Sequence, residues 1–272
     1  MNKYLICFDM DGTLLNEKKK ISFLTGKYLQ KLQKRGCMIV LASGRPKREL
    51  KRYYDQLKLT SPLVCLNGSY CYSPFDKDFP EYEFTFDKNI AIEITEELLN
   101  KGAIDNAFCE NNSCVWLYKK DPDLINFFWN FTQDDRMVFG SFRDTLDKNP
   151  AAMLVESKKG GHEKEIEEIV KKYPGLNVRF WFNGHYSELY FDGSSKAATL
   201  EKIAKFYGFK KERIIAFGDQ HNDIEMLEWA GIGVAMKNAS EELKEHADIV
   251  TKKDNNHNGI YHALKSIIKS NK

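Results

Sequence analysis

A chain of 272 residues, 42% of them aliphatic, aromatic or cysteine, holds enough apolar surface for one large core or two moderate ones and is too apolar to remain unfolded. Its 41 Lys and Arg are interspersed among 39 Asp and Glu, for a formal charge of +2; this reads as a solvated mixed surface and argues against nucleic-acid binding. No apolar run approaches the length of a transmembrane helix, and Asp9 follows Met1-Asn2-Lys3 too soon for a secretory leader.

The expectation is a cytoplasmic protein, a monomer or small homo-oligomer. The six cysteines agree. Cys7, Cys37 and Cys65 fall in apolar strand-like runs, and none pairs with another at the spacing of a zinc or redox motif. They read as reduced thiols.

Lys3–Phe8 predicts a buried strand, Thr25–Arg35 a helix stopped by Gly36, and Cys37–Ala42 a second buried strand. Pro46–Leu57 begins with the proline that suits a first helical turn. Pro62–Leu66 predicts a third strand, closed by Asn67-Gly68. Strand–helix–strand repeats build a parallel sheet with helices on both faces. After about Tyr82 the pattern changes. Glu81–Phe86 alternates, Ile90–Lys101 is helical, Asn106–Tyr118 reads as two strands around Asn111-Asn112, and Asp121-Pro122 opens a helix. Ala151–Glu156 predicts a strand and Gly161–Lys172 an amphipathic helix. Asn177–Phe182 and Tyr186–Phe191 flank Asn183-Gly184-His185, a hairpin signal. The last third returns to alternation, with helices at Lys196–Tyr207, Asn222–Trp229, Ser240–Glu245 and Gly259–Ile268. Its strands are Arg213–Phe217, Ile232–Ala235 and Asp248–Thr251. The fold class is α/β: a doubly wound parallel-sheet core, residues 1–81 and 191–272, interrupted by an inserted α+β domain, residues 82–190.

Asp9 and Asp11 leave the first strand on the same side. Close carboxylates repel, and burying them costs several kcal/mol (about 3 or more) without a compensating cation. An all-oxygen site suits Mg2+. Ser43-Gly44-Arg45 follows the second strand, Ser194-Ser195-Lys196-Ala197 opens a helix, and Gly218-Asp219-Gln220-His221-Asn222-Asp223 follows another strand. In open α/β sheets ligands bind beyond the carboxyl ends of the strands. Lys196 and a helix N-terminus suit a phosphate. Ser43 offers a hydroxyl donor and Asn222 an uncharged one. Asp223, four residues after Asp219, shares its helical face.

These motifs, in this order, resemble those of the haloacid dehalogenase superfamily, and the insertion between the second and third places the resemblance with the Cof-like phosphatases. The resemblance implies that Asp9 is the nucleophile forming an aspartyl-phosphate and that Asp11 is the general acid and then the base. It implies Mg2+ held by Asp9, Asp219 and the main-chain carbonyl of Asp11, with Asp223 supporting the metal's waters. Ser43, Lys196, Asn222 and backbone N–H groups near Met10 and Gly44 would hold phosphate. The inserted domain would be a cap that closes over the site and selects substrate, with Glu188 as a substrate contact. Asp11 should then have a pKa above that of Asp9. The chain departs from the family at Ala197, where Gly is frequent, at Phe191-Asp192 in place of Pro-Lys, and at His221 in place of an acid.

Single residues carry plainer readings. Trp116, Trp129, Phe180, Trp181 and Phe182 read as packing, His185 as an exposed turn residue and Lys18-Lys19-Lys20 as a solvated loop. The leading function is Mg2+-dependent hydrolysis of a phosphorylated metabolite, either a sugar phosphate or a cofactor such as flavin mononucleotide or pyridoxal phosphate. The alternatives are a phosphohexomutase and a non-catalytic sensor of a phosphorylated ligand.

Overall fold

The computed structural model describes residues 3–128, 136–181 and 183–270. Trp129 and Phe182 lie outside them. The chain divides into two compact units, Met1–Tyr82 with Ser195–Lys272, and Glu83–Ser194. The return to the first unit falls later than residue 191. Phe191 pairs with Leu176 and its ring lies 5.5 Å from that of Phe86, so the last strand of the insertion finishes inside the second unit.

The first unit is built on a five-stranded sheet in the order Ile249–Val250, Ile232–Ala235, Ile214–Gly218, Leu5–Phe8, Met38–Leu41. All of its pairings are parallel. Leu5–Phe8 is buried throughout and Ile214–Gly218 likewise, as continuous apolar runs covered on both faces must be. Phe8 lies opposite both Phe217 and Leu41, and the Phe8 and Phe217 rings stack at 5.1 Å. The register therefore ends three adjacent strands at one level. Asp9 leaves the central strand, Asp219 follows its neighbour on one side, and Ser43 follows its neighbour on the other. The chain winds outward in both directions from Leu5–Phe8, which makes this edge the switch point of the sheet.

The third expected strand behaves differently. Leu63–Cys65 touches the parallel sheet through one bridge, Ala42 to Val64, and instead pairs antiparallel with Tyr70–Tyr72. The intervening turn carries positive φ at Leu66, Asn67 and Gly68. The Asn-Gly pair turns the chain back, and the strand after it has no counterpart in the sequence reading. Gly68, at φ +101°, is a position where a Cβ would overlap the Ser195 carbonyl. Its own carbonyl accepts from the Thr199 hydroxyl at 2.8 Å. This turn thus seats the start of helix Lys196–Phe206, which Ser195 caps by accepting from the Ala198 N–H.

The second unit has a six-stranded sheet in the order Leu176–Trp181, Tyr186–Phe191, Ala152–Glu156, Asn106–Glu110, Val115–Leu117, Met137–Phe139. All pairings are antiparallel except the last. One face packs on helices Lys88–Asn100 and Glu163–Val170 through a core that includes Trp116, fully buried, and partly buried Phe180. The short strand Met137–Phe139 and helix Phe142–Thr145 lack the periodicity that sequence reading needs. His185 is half-buried, with Nε2 3.5 Å from the buried Glu156 carboxylate, and is not simply an exposed turn residue. None of the six cysteines is in a disulfide. Among the described residues no helix is long and apolar enough to cross a membrane.

Gly68→Ala should destabilise the protein by at least about 2 kcal/mol, because it adds left-handed strain to a backbone overlap. Chemical denaturation of the variant checks this; an unchanged midpoint would show that the Gly68–Ser195 approach can relax.

Candidate active site

Four separate segments deliver the charged groups of the first unit to the carboxyl edge of its sheet. The Lys196 ammonium reaches in from its helix start and is 1% exposed. It donates to Asp9 Oδ1 and to Asp223 Oδ1, both at 2.7 Å. Asp223 is fully buried, and its second oxygen accepts the backbone N–H groups of Asp219 at 3.0 Å and Gln220 at 3.2 Å. Asp219 is 4% exposed and accepts from the Thr13 hydroxyl at 2.7 Å. Ligand oxygens of Asp9, Asp219 and Asp223 lie within 4.8 Å of one another.

Three carboxylates against one ammonium leave two negative charges in a buried place. Burial raises the pKa of Asp9 well above the ordinary carboxylate range. Asp223 and Asp219 add to that, against the opposing charge and hydrogen bond of Lys196. Burial and the Asp223 anion likewise raise Asp219 to about 6, although the Thr13 hydrogen bond and Lys196 pull it down. Lys196 goes the other way: burial alone would lower its pKa, but Asp223 and Asp9 hold it protonated. A divalent cation would relieve the remaining repulsion. The donors are all oxygen, which fits a hard ion such as Mg2+. Asp9 and Asp219 are the carboxylates with capacity to ligate. Asp223 has already committed its oxygens to Lys196 and two backbone N–H groups, so it orients the others from behind.

Asp11 corrects an expectation. Its side chain turns to Arg45, which donates from Nη2 to Oδ1 at 2.8 Å and from Nε to Oδ2, and Lys19 donates to Oδ1 at 2.6 Å. Glu49 in turn holds Arg45 at 2.7 Å. Partial burial would raise the Asp11 pKa, but the Arg45 and Lys19 contacts outweigh it and bring it down to about 2. Asp11 therefore lies below Asp9, the reverse of the expected order, because two cations hold it while burial, with Asp223 and Asp219, raises Asp9. Lys19 is correspondingly not a freely solvated residue. The Tyr53 hydroxyl also donates to its carbonyl at 2.9 Å.

Of the expected phosphate groups, Ser43, Gly44 and Asn222 come together around Asn67. Ser43 is 2% exposed, and its hydroxyl oxygen accepts the Arg45 N–H at 3.2 Å, which leaves its proton to donate elsewhere. Gly44 is exposed, and Met10 is buried with its carbonyl accepting from the Leu15 N–H at 2.8 Å. Asn222 Nδ2 donates to Asn67 Oδ1 at 2.9 Å. A Cβ on Gly12 would overlap the Asp219 carboxylate, so that glycine lets the first loop close over the cluster. His221 is exposed and pairs with Glu242 at 3.0 Å.

Glu188 belongs to the second unit. It is 7% exposed and accepts from Arg179 Nη1 at 3.2 Å and Trp181 Nε1 at 3.3 Å. Arg179 lies opposite it in the hairpin and over the Tyr190 ring at 4.3 Å. The pairing was implicit in the Asn-Gly turn, which fixes which residues face each other. Thr13, Lys19, Arg45 as an Asp11 partner, and Asn67 were also missed. Of these only Asn67 carried a signal, the Asn-Gly pair at a strand end.

The model of the haloacid dehalogenase-like hydrolase family matches residues 6–264. The chain is 32% identical over 268 residues to a 5-amino-6-(5-phospho-D-ribitylamino)uracil phosphatase of Bacillus subtilis (strain 168), covering 96% of each. It is 27% identical over 257 residues to a pyridoxal phosphate phosphatase of Escherichia coli (strain K12), covering 92% of this chain and 93% of the other. A haloacid dehalogenase-like hydrolase structure from Bacteroides thetaiotaomicron superposes with a TM-score of 0.81 at 26% identity, covering 97% of this chain and 99% of that one. A sugar phosphatase of haloacid dehalogenase subclass IIB gives 0.81 at 25% identity, with the same coverage.

Two measurements test the charge balance. Lys196→Met should destabilise the protein by about 3 kcal/mol or more, because it strands two buried carboxylates; a stable variant would mean that those acids are neutral. In EDTA the unfolding temperature should rise between about pH 7 and pH 5. The folded protein binds a proton at Asp219 near pH 6, whereas the unfolded chain waits until its ordinary value of 3.8. Stability is thus gained as pH falls through the folded value. Mg2+ should flatten this slope by favouring the ionised cluster; a slope of opposite sign in EDTA would contradict the burial of the acids. With the site geometry and the full-length matches in agreement, the chain belongs to the haloacid dehalogenase-like hydrolases, within their Cof-like phosphatases.

Proposed function

We propose that this phosphatase hydrolyses a small phosphate monoester through a phosphorylated Asp9, with Mg2+ as its ion. The observation that carries the reading is the buried Lys196 ammonium between Asp9 and Asp223, beside Asp219. A bound Mg2+, held by Asp9, Asp219 and the Asp11 carbonyl, would supply charge neutralisation for the anionic substrate. The chain's own residues do the rest. Lys196 holds one Asp9 oxygen, which fixes the direction in which the other can attack. Phosphoryl transfer requires positioning and charge compensation above all. A carboxylate nucleophile splits hydrolysis into two easier steps. Ser43, Lys196, Asn222 and the backbone N–H groups near Met10 and Gly44 hold the phosphoryl oxygens.

Asp11 is the proton-transfer group of this reading. The Arg45–Lys19 clamp keeps it ionised, which is the form that takes a proton from an attacking water. To protonate the leaving alcohol it must first leave the clamp and take up a proton from solvent. Arg45 and Lys19 are thereby placed to exchange Asp11 for another anion.

The second unit selects the substrate, and Glu188 is the first position there to test. The B. subtilis relative makes 5-amino-6-(5-phospho-D-ribitylamino)uracil the first substrate to try, ahead of pyridoxal phosphate and hexose phosphates. Asp9→Asn should abolish p-nitrophenyl phosphate hydrolysis, with a loss of about 10³-fold or more, while the circular dichroism spectrum persists. Near-normal turnover would remove Asp9 as nucleophile. Phosphate release from the panel with Mg2+, and none with EDTA, is the expected pattern. Isomer formation from a hexose phosphate would mark a mutase, and tight binding without turnover a sensor.

A further inference from the structure

Asn67 lies in the turn between two strands, outside every segment that the motifs mark, yet it meets three parts of the site. Its N–H donates to the Ser43 carbonyl at 2.9 Å. Its Oδ1 accepts from Asn222 Nδ2 at 2.9 Å. Its amide lies 3.1 Å from where a Gly44 Cβ would stand, so the two segments approach closely there. The neighbouring Gly68 contacts the start of the Lys196 helix. The side chain is buried, with 8% of the residue exposed.

The backbone alone does not account for this. At φ 52° and ψ 27° Asn67 is in the left-handed region, which suits Asn but suits Gly better. A turn that needed only this conformation would not need a carbonyl oxygen aimed at Asn222. The chemistry of Asn222 does. Its amide has a donating end and an accepting end of almost equal shape, and phosphate oxygens can only accept. If the accepting end faced the phosphate, two oxygen atoms would repel. The amino end has two N–H bonds. An acceptor fixed beside it takes one and leaves the other for the anion.

We infer that Asn67 is a positioning residue for phosphate: it sets which end of the Asn222 amide faces the anion. The inference rests on the phosphate role assigned to Asn222 above. Asn67 acts through Asn222, and the left-handed turn holds it rigidly because Ser43 and Gly44 fix the turn from the other side.

Asn67→Gly removes the acceptor and keeps the backbone conformation, so the thermal melt of the variant should stay close to the parent's. The probe is inorganic phosphate with Mg2+, read as competitive inhibition of p-nitrophenyl phosphate hydrolysis and as direct binding by titration calorimetry. Asn67→Gly should weaken phosphate about tenfold, the scale of a hydrogen bond to a charged group. KM should rise in step while kcat changes less. Asn222→Ala should weaken phosphate at least as much, and adding Asn67→Gly to it should cost nothing further. If Asn67→Gly weakens phosphate by the same factor in both backgrounds, Asn67 acts on the fold and not through Asn222, and the inference fails. A phosphate affinity unmoved by Asn67→Gly but lost in Asn222→Ala also overturns it, and leaves the role of Asn222 standing. If Asn222→Ala alone leaves phosphate binding unchanged, that role falls and the inference falls with it.

Discussion

A single ammonium, buried between two carboxylates, organises the carboxyl edge of the first unit's sheet. Burial alone would lower the Lys196 pKa, and the Asp223 and Asp9 carboxylates beside it hold it protonated. Desolvating an ion pair is expensive, and such pairs rarely stabilise a fold for their own sake. Their retention is better explained by what they impose on direction. Asp223 uses both its oxygens, one on Lys196 and the other on two backbone N–H groups, so it is fixed relative to the strand end. Lys196 is then fixed relative to Asp223, and Asp9 relative to Lys196. The Asp9 carboxylate is thus oriented by a chain of contacts that begins in the sheet.

The sheet makes this possible by its register. Phe8 stands level with Phe217 and Leu41, so the residues that follow these strands emerge side by side. Glycines then let the loops close. Gly12 makes room for Asp219, and Gly68 lets a turn touch the helix that carries Lys196. The negative charge that remains among Asp9, Asp219 and Asp223 is a reason for an ion rather than an accident of packing. The opposite electrostatics hold at Asp11, two residues from Asp9, where Arg45 and Lys19 dominate. Asp9 and Asp11 thus carry opposite pKa shifts, set by burial and neighbouring charges and not by their residue type.

The second unit follows different rules. Its sheet is antiparallel but for one edge pairing; one face packs on helices, and the other carries a second buried cluster that includes Phe108, Leu117 and Tyr186. On that face Arg179, Glu188 and Trp181 form one hydrogen-bonded group, with Tyr190 under the guanidinium. Aromatic rings around a paired cation and carboxylate make a rigid surface of fixed polarity.

The sequence alone determined the alternation of strands and helices, the change to antiparallel pairing near Tyr82, and the ordered acids, Ser43, Lys196 and Asn222. These follow from local rules: buried parallel strands read as apolar runs, and polar groups at their carboxyl ends stand out against them. Tertiary structure decided the rest. The clamp on Asp11 joins Lys19 and Arg45 across a distance along the chain that no periodicity records. Asn67 looked like the end of a strand because its partner, Asn222, lies 155 positions away. The hairpin after Leu63–Cys65 and the short strand Met137–Phe139 were unreadable because segments of three residues carry too few alternations. Most of all, pKa order was decided by three-dimensional neighbours. Sequence shows which groups can ionise, but the free energy of ionising them depends on which charges and how much water folding brings beside them.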